Sequence, residues 1–253
     1  MSGFPQGAAV VIGGSGGLGQ AICVELAQQG CNVALSYRSN AQAAQETVAA
    51  LQALGVQALA FALQLAEREQ VAAAMQAVHQ QFGRIHTVVF ASGADISMVH
   101  VANIDPDEWQ RTMSGDLDGF FHVIKACLPL MRADGGGSIV AITTAGNVRH
   151  PPMDILSTVP KAGIEALIRG IAREEGRYQI RANSVAPGIV DGGLFLRLKE
   201  QVKPDFVEAM RRNTALRRFG TAQEVAQVAV FLASDAAAYV TGQQLAVDGG
   251  YSV

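Results

Sequence analysis

The sequence predicts an α/β protein, a single domain built on a doubly wound parallel sheet of about seven strands. Three observations carry that expectation. Short β-like runs alternate with longer helical ones along the whole chain. The first β-like run ends in a cluster of glycines, and 253 residues at 49% hydrophobic content suffice for one large domain with a substantial core.

Each element follows in order. "AAVVIGG" (8–14) reads as the first strand. "GLGQAICVELAQQG" places Leu18, Ile22 and Leu26 on one helical face, and Gly30 stops the helix. "NVALSY" is a second strand, followed by an Ala/Gln-rich helix over roughly 41–54. "QALAFAL", "TVVFASG" and "SIVAITT" are three more strands, each preceded by a helical segment; "IRANSVAPG" and "QQLAVDGG" complete the set. No linker or repeat divides residues 1–253. Only 188–220 lacks the alternation, and a substrate loop or lid is expected at about 189–219. Leu194, Phe195, Leu198, Phe206 and Met210 have helical spacing there, which suits either a lid helix packed on its own domain or the lining of an acyl tunnel.

Composition excludes several classes. Net charge is −3 with no basic block, so neither nucleic acid nor an anionic membrane is an expected partner. Charged residues are only 16%, which points to a surface partly covered by other subunits. Cys23, Cys31 and Cys127 lack metal-ligand spacing and read as small core residues of a reducing compartment; no metal is expected. No stretch reaches membrane-spanning length and the N-terminus lacks a leader pattern, so the expected location is cytoplasmic.

Gly13-Gly14-Ser15-Gly16-Gly17-Leu18-Gly19 lies between a strand and a helix. Glycines there let backbone approach a pyrophosphate, and the helix N-terminus offers N–H groups to its charge. The plainer alternative is a tight turn with no ligand. The second strand ends in Ser36-Tyr37-Arg38-Ser39, without the carboxylate that would accept a ribose 2′-hydroxyl. An arginine there pairs with a 2′-phosphate, so Arg38 favours NADP(H) over NAD(H), unless it is only an exposed loop residue.

Together with "KAG" (161–163), "NSVAPG" (183–188) and "RRFGTAQEVAQVAVFLASDAAAYVTGQQLAVDGGY" (217–251), these segments resemble the short-chain dehydrogenase/reductase family, in particular its 3-ketoacyl-carrier-protein reductase-like branch. The resemblance runs from about residue 8 to the end and implies a Rossmann-type fold. The family's T-G-x-x-x-G-x-G motif falls on Gly13, Gly17 and Gly19, with Ile12 at the threonine position. Its adenine-capping aspartate corresponds to Gln64, followed by Leu65. Its N-N-A-G motif is Phe90-Ala91-Ser92-Gly93 here, so both asparagines are missing. The resemblance further implies cofactor contacts from Ser15, Leu18, Ala91, Gly93, Lys161, Pro187, Gly188 and Val190.

The catalytic positions depart further. Asp116 stands for the relay asparagine, Thr144 for the substrate-orienting serine and Ser157 for the tyrosine of Y-x-x-x-K, whereas Lys161 is retained. The implied reaction is hydride transfer to a carbonyl, with a proton delivered to the forming alkoxide. A phenol suits that step because its ordinary pKa of about 10 can be lowered by a neighbouring ammonium. A serine hydroxyl is a far weaker acid and sits closer to the backbone. Pro160 predicts that the helix carrying Lys161 begins near Ser157 or Thr158, which makes Ser157 a helix cap rather than a catalyst. Tyr37, Tyr178, Tyr239 and Tyr251 map away from the expected centre; His150 and Asp154 lie in the loop entering it, and Lys161 is itself a possible donor.

Three readings follow. One is an NADP(H)-dependent ketoacyl-type reductase, inactive or altered in carbonyl reduction, on a small-molecule or carrier-protein-bound acyl substrate. Another is a catalytically silent subunit of a homo-tetramer, or of a mixed tetramer with a related reductase. The third is dehydration or isomerisation in the same pocket, with Asp116, Lys161 or His150 as acid or base.

Overall fold

The computed structural model describes residues 3–192, 195 and 204–253. Seven strands form one sheet: β1 (Ala8–Ile12), β2 (Asn32–Tyr37), β3 (Ala58–Ala62), β4 (Ile85–Phe90), β5 (Gly137–Ile142), β6 (Ile180–Pro187) and β7 (Gln244–Val247). Their order is β3-β2-β1-β4-β5-β6-β7, and every pairing is parallel. Parallel strands need crossovers, and helices supply them. α1 (Gly17–Gln28), α2 (Ala41–Ala53) and α8 (Ala222–Ala233) cover one face; α3 (Arg68–Phe82), α5 (Gly119–Ala133) and α6 (Ile155–Glu175) cover the other.

The strands alternate between the two cores as their period of two requires. In β1, Ala9 and Val11 join Ile22, Leu26 and Val225 on the first face. Val10 and Ile12 join Met75, Phe120 and Ile168 on the second. Cys23, Cys31 and Cys127 are buried free thiols, and burial pushes the last two up to about 12.

Chain order reverses between β1 and β4, which opens a crevice beyond their C-terminal ends. The long helical stretch beside that crevice is not regular. α4 (Pro106–Met113), capped by the Asp105 side chain, runs into α5 through a π turn at Ser114–Asp118. The extra residue of a π turn rotates one side chain off its expected face, and such turns often mark functional sites. Phe90 at the end of β4 meets Phe120 edge-on at 5.2 Å, worth about 1 kcal/mol, and fixes this turn against the sheet.

Two sequence expectations need correction. α6 starts at Ile155 behind Asp154, so Ser157 lies inside the first turn and is not the cap. Pro160 therefore falls in the second turn, which had been expected to exclude it. Leu156, Thr158 and Pro160 are all buried. Packing of this turn outweighs one missing backbone hydrogen bond, which is worth about 1 kcal/mol. In the 189–219 region, Val190 bridges to Gly220, and α7 (Pro204–Arg212) is helical. Phe195 is buried with its ring 4.8 Å from that of Phe219. Leu194 and Leu198 lie outside the described residues.

Candidate active site

The glycine loop follows β1 at the mouth of the crevice. Gly13 has φ +80°, and a Cβ there would lie 3.0 Å from the Ser92 backbone that follows β4. Its N–H donates to Ser36 Oγ at 3.0 Å, a contact the sequence gave no reason to expect. At Gly19, a Cβ would lie 2.2 Å from the Gly13 carbonyl oxygen. Both positions are therefore sterically restricted to glycine. The first helical bond of α1 runs from Gln20 N–H to Gly16 O, so the amides of Gly17, Leu18 and Gly19 have no intrahelical acceptor. Glycine-only contacts and free amides at a helix start fit a pyrophosphate.

The other predicted cofactor positions surround the same crevice. Ser15 is half-buried in the loop, and Leu18 packs on the core. Ala91 N–H pairs with Ile12 O, which continues the sheet past β4, and Gly93 is exposed just beyond. Arg38 is exposed one residue past β2, without a hydrogen bond or ion pair among the described residues. Gln64 is exposed, whereas Leu65 packs against Gly119 and its carbonyl accepts from His122 Nδ1. Pro187 ends β6, Gly188 is pressed against Asp248, and Val190 lies on the loop beyond.

On the far side, the π turn aims Asp116 inward. Its Oδ1 accepts the Ala94 N–H at 3.1 Å, and its Oδ2 accepts from Lys161 Nζ at 3.3 Å. The Asp116 side chain is buried at 4% exposure and that of Lys161 is half-buried at 14%. Replacing an amide donor by a carboxylate thus does not leave an idle acceptor. It ties the loop after β4 to α6 and holds the ammonium in place. A part-buried pair of this kind is weak evidence for stability by itself, yet removing one partner is costly.

Thr144 follows β5. Its Oγ1 accepts the Gly146 N–H at 3.1 Å, which leaves its own hydroxyl proton to donate elsewhere. Ser157 is half-buried, and its N–H goes to Asp154 O. No hydrogen bond of its hydroxyl is found among the described residues. Asp154 is half-buried at the N-terminus of α6 and its carboxyl makes no cap hydrogen bond. Burial pushes that carboxyl up to about 6, against the opposing pull of Lys161 and His150. His150 itself is exposed.

Tyr251 lies in the C-terminal segment, as expected from its position. The C-terminal segment returns over the loop that enters the site, where the phenol donates to Arg149 O at 3.2 Å. The Arg149 guanidinium lies 5.2 Å from the ring centre and donates to Tyr251 O at 3.0 Å. Burial raises the phenol above its ordinary value, and the charge of Asp154 raises it further, so the two side chains are electrostatic neighbours. Nothing local in "GGYSV" signals this proximity. Among the described residues, no group of His, Cys, Asp and Glu is arranged to hold a metal, and no helix is long and apolar enough to cross a membrane.

Comparison with known proteins agrees with this geometry. The family model described as Enoyl-(Acyl carrier protein) reductase matches residues 13–252. The 3-oxoacyl-(acyl-carrier-protein) reductase of Staphylococcus aureus (strain Mu50) is 31% identical over 242 residues, covering 96% of each chain. The crystal structure of levodione reductase superposes with a TM-score of 0.94 at 29% identity, covering 98% of both chains. A xylitol dehydrogenase structure described as NAD+-bound gives 0.92 at 26% identity, covering 96% of this chain and 98% of that one.

Proposed function

The chain belongs to the short-chain dehydrogenase/reductase family, and from that premise we propose that it binds a nicotinamide dinucleotide and acts on a ketoacyl-type carbonyl by an altered proton route. The observation that carries this reading is the crevice itself. A loop that admits only glycine at residues 13 and 19 closes against the backbone after β4, opposite the part-buried Lys161–Asp116 pair and the Thr144 hydroxyl.

The glycine loop and the first amides of α1 would hold the pyrophosphate, and Arg38 would favour a 2′-phosphate, hence NADP(H) over NAD(H). When bound, the dinucleotide supplies or accepts hydride. The residues of the chain do the rest. Thr144 Oγ1 donates to the substrate oxygen and orients it. Asp116 holds the Lys161 ammonium, which stabilises negative charge developing at that oxygen. Ser157 contributes no acid of useful strength, so the usual phenol route is closed. A carrier-protein-bound acyl chain suits this reading, since the relative from Staphylococcus aureus is named for such a substrate.

An assembling role is favoured by a separate observation. Phe121 on α5 is 50% exposed, and Phe231 and Leu245, near the end of the chain, are also large exposed apolar side chains. Faces of this kind are normally covered in an oligomer, and a homo-tetramer or a mixed tetramer with a related reductase would cover both.

Fluorescence titration with NADPH and then NADH tests the binding. Saturable binding with NADPH tighter by tenfold or more is the expected result. Oxidation of bound NADPH is then followed with a β-ketoacyl thioester. Binding without turnover would leave the assembling role as the function.

A further inference from the structure

We propose that Asp154 is the proton donor of this site, taking over from a different position the role of the tyrosine that Ser157 replaces. The inference rests on the reading of the crevice as a nicotinamide-dependent carbonyl site.

Asp154 precedes α6 as its N-cap residue, and Lys161 lies in the second turn of that helix. Side chains on a helix lean toward its N-terminus, which carries the long lysine back toward Asp154. Asp154 also faces the Thr144 hydroxyl. A Cβ placed on Gly146 would stand 3.3 Å from Asp154 Oδ2 and 3.2 Å from Thr144 Oγ1, so both oxygens border the same small space. The Thr158 methyl closes another side of that space at 3.1 Å. The carboxyl therefore borders the orienting hydroxyl and lies in the field of the Lys161 ammonium, and it is not engaged as a helix cap.

A half-buried carboxyl without a hydrogen-bond donor holds its proton more tightly than a solvated one. The charged groups acting on it are Lys161 from α6 and His150 from the preceding loop, and its own charge acts on Tyr251 of the C-terminal segment, whose ring Arg149 covers. Asp116, in the π turn, acts through Lys161. The resulting value near 6 keeps a useful protonated fraction at neutral pH.

The step balances as follows. The carbonyl carbon gains hydride from a reduced nicotinamide dinucleotide, and a C–H bond forms. The C=O π pair moves to oxygen, which takes the proton from Asp154. The carboxylate left behind is stabilised by Lys161 and is reprotonated from solvent. The carbonyl is reduced and the nicotinamide oxidised.

The test compares the full-length wild type with Asp154→Asn and Asp154→Glu. NMR with aspartate labelled at the carboxyl carbon should show a group titrating near pH 6 that is missing from Asp154→Asn. NADPH fluorescence titration should give the same affinity, within twofold, for wild type and Asp154→Asn. With acetoacetyl-coenzyme A as substrate, the wild-type kcat should fall about tenfold per pH unit above pH 6. Asp154→Asn should lower kcat about 100-fold or more, and Asp154→Glu should restore part of it. An Asp154 carboxyl titrating near pH 4 would overturn the assignment. So would an Asp154→Asn kcat within threefold of wild type, or bound NADPH that the wild type never oxidises. Failure of the wild type to bind either dinucleotide would instead remove the reading of the crevice on which the proposal rests.

Discussion

The two banks of the crevice are built from different materials. The bank after β1 is largely backbone: Gly13, Gly19 and the first amides of α1, held by contacts too close for any Cβ. The bank after β5 is built from side chains: Asp116 in the π turn, Thr144 in the segment after β5, Asp154 at the cap of α6 and Lys161 on that helix. Backbone constraints admit one residue type, so the first bank keeps its glycines. Side-chain networks admit alternatives provided that charges and hydrogen bonds still close, and the second bank has been rewritten within that limit. Asp116 illustrates the limit, because it still finds both a cation and an amide donor.

The sharpest way to break this contrast is Asp116→Ala. It strands a half-buried ammonium and removes the acceptor of the Ala94 N–H, and should cost about 3 kcal/mol in urea unfolding. Asp116→Asn keeps an acceptor for Ala94 and should cost about 1 kcal/mol. If the alanine variant were as stable as wild type, the second bank would not be a closed network.

Gly19→Ala tests the first bank. Its methyl would meet the Gly13 carbonyl at 2.2 Å, so backbone must move. A loss of about 2–3 kcal/mol is expected by thermal unfolding, together with loss of saturable NADPH binding.

Asp154→Asn should move stability in the opposite direction. The folded carboxyl titrates near 6 against an ordinary 3.8, so the folded state binds the proton more tightly. Wild-type stability therefore falls as pH rises from about 4 to 6, and the penalty persists above that window. Partial exposure reduces the full linkage value, and the asparagine variant should gain about 1–2 kcal/mol at pH 8 and nothing at pH 3. Parallel denaturant curves at the two pH values provide the check.

Arg38→Ala should have the smallest effect on folding, below about 0.5 kcal/mol, because the side chain is exposed and unpaired. Its effect should appear in the ratio of NADPH to NADH affinity, which should fall about tenfold. An unchanged ratio would remove the basis for preferring NADP(H).

The alternation of strand and helix, the seven strands and the glycine loop were all legible in the sequence, because each is a local pattern that burial and backbone geometry then impose. β2 begins and ends where "NVALSY" does. The resemblance pointed to Asp116, Thr144, Ser157 and Lys161, and the structure joins two of them, Asp116 and Lys161, by a direct contact. Three things lay beyond that reach. The start of α6 lay beyond it because Pro160 speaks against a helix locally, whereas Leu156, Thr158 and Pro160 are buried by tertiary packing, Thr158 against Gly146 of the segment after β5. The partners of Asp116 were hidden because a π turn sets its direction, and Ala94 and Lys161 arrive from distant parts of the chain. Tyr251 nears Asp154 only when β7 is laid beside β6 and the last residues turn back across the loop. Sequence alone determined the fold class and the strand that each glycine of the loop follows. Tertiary structure decided which side chains share a field, since electrostatic coupling depends on distances that only packing creates.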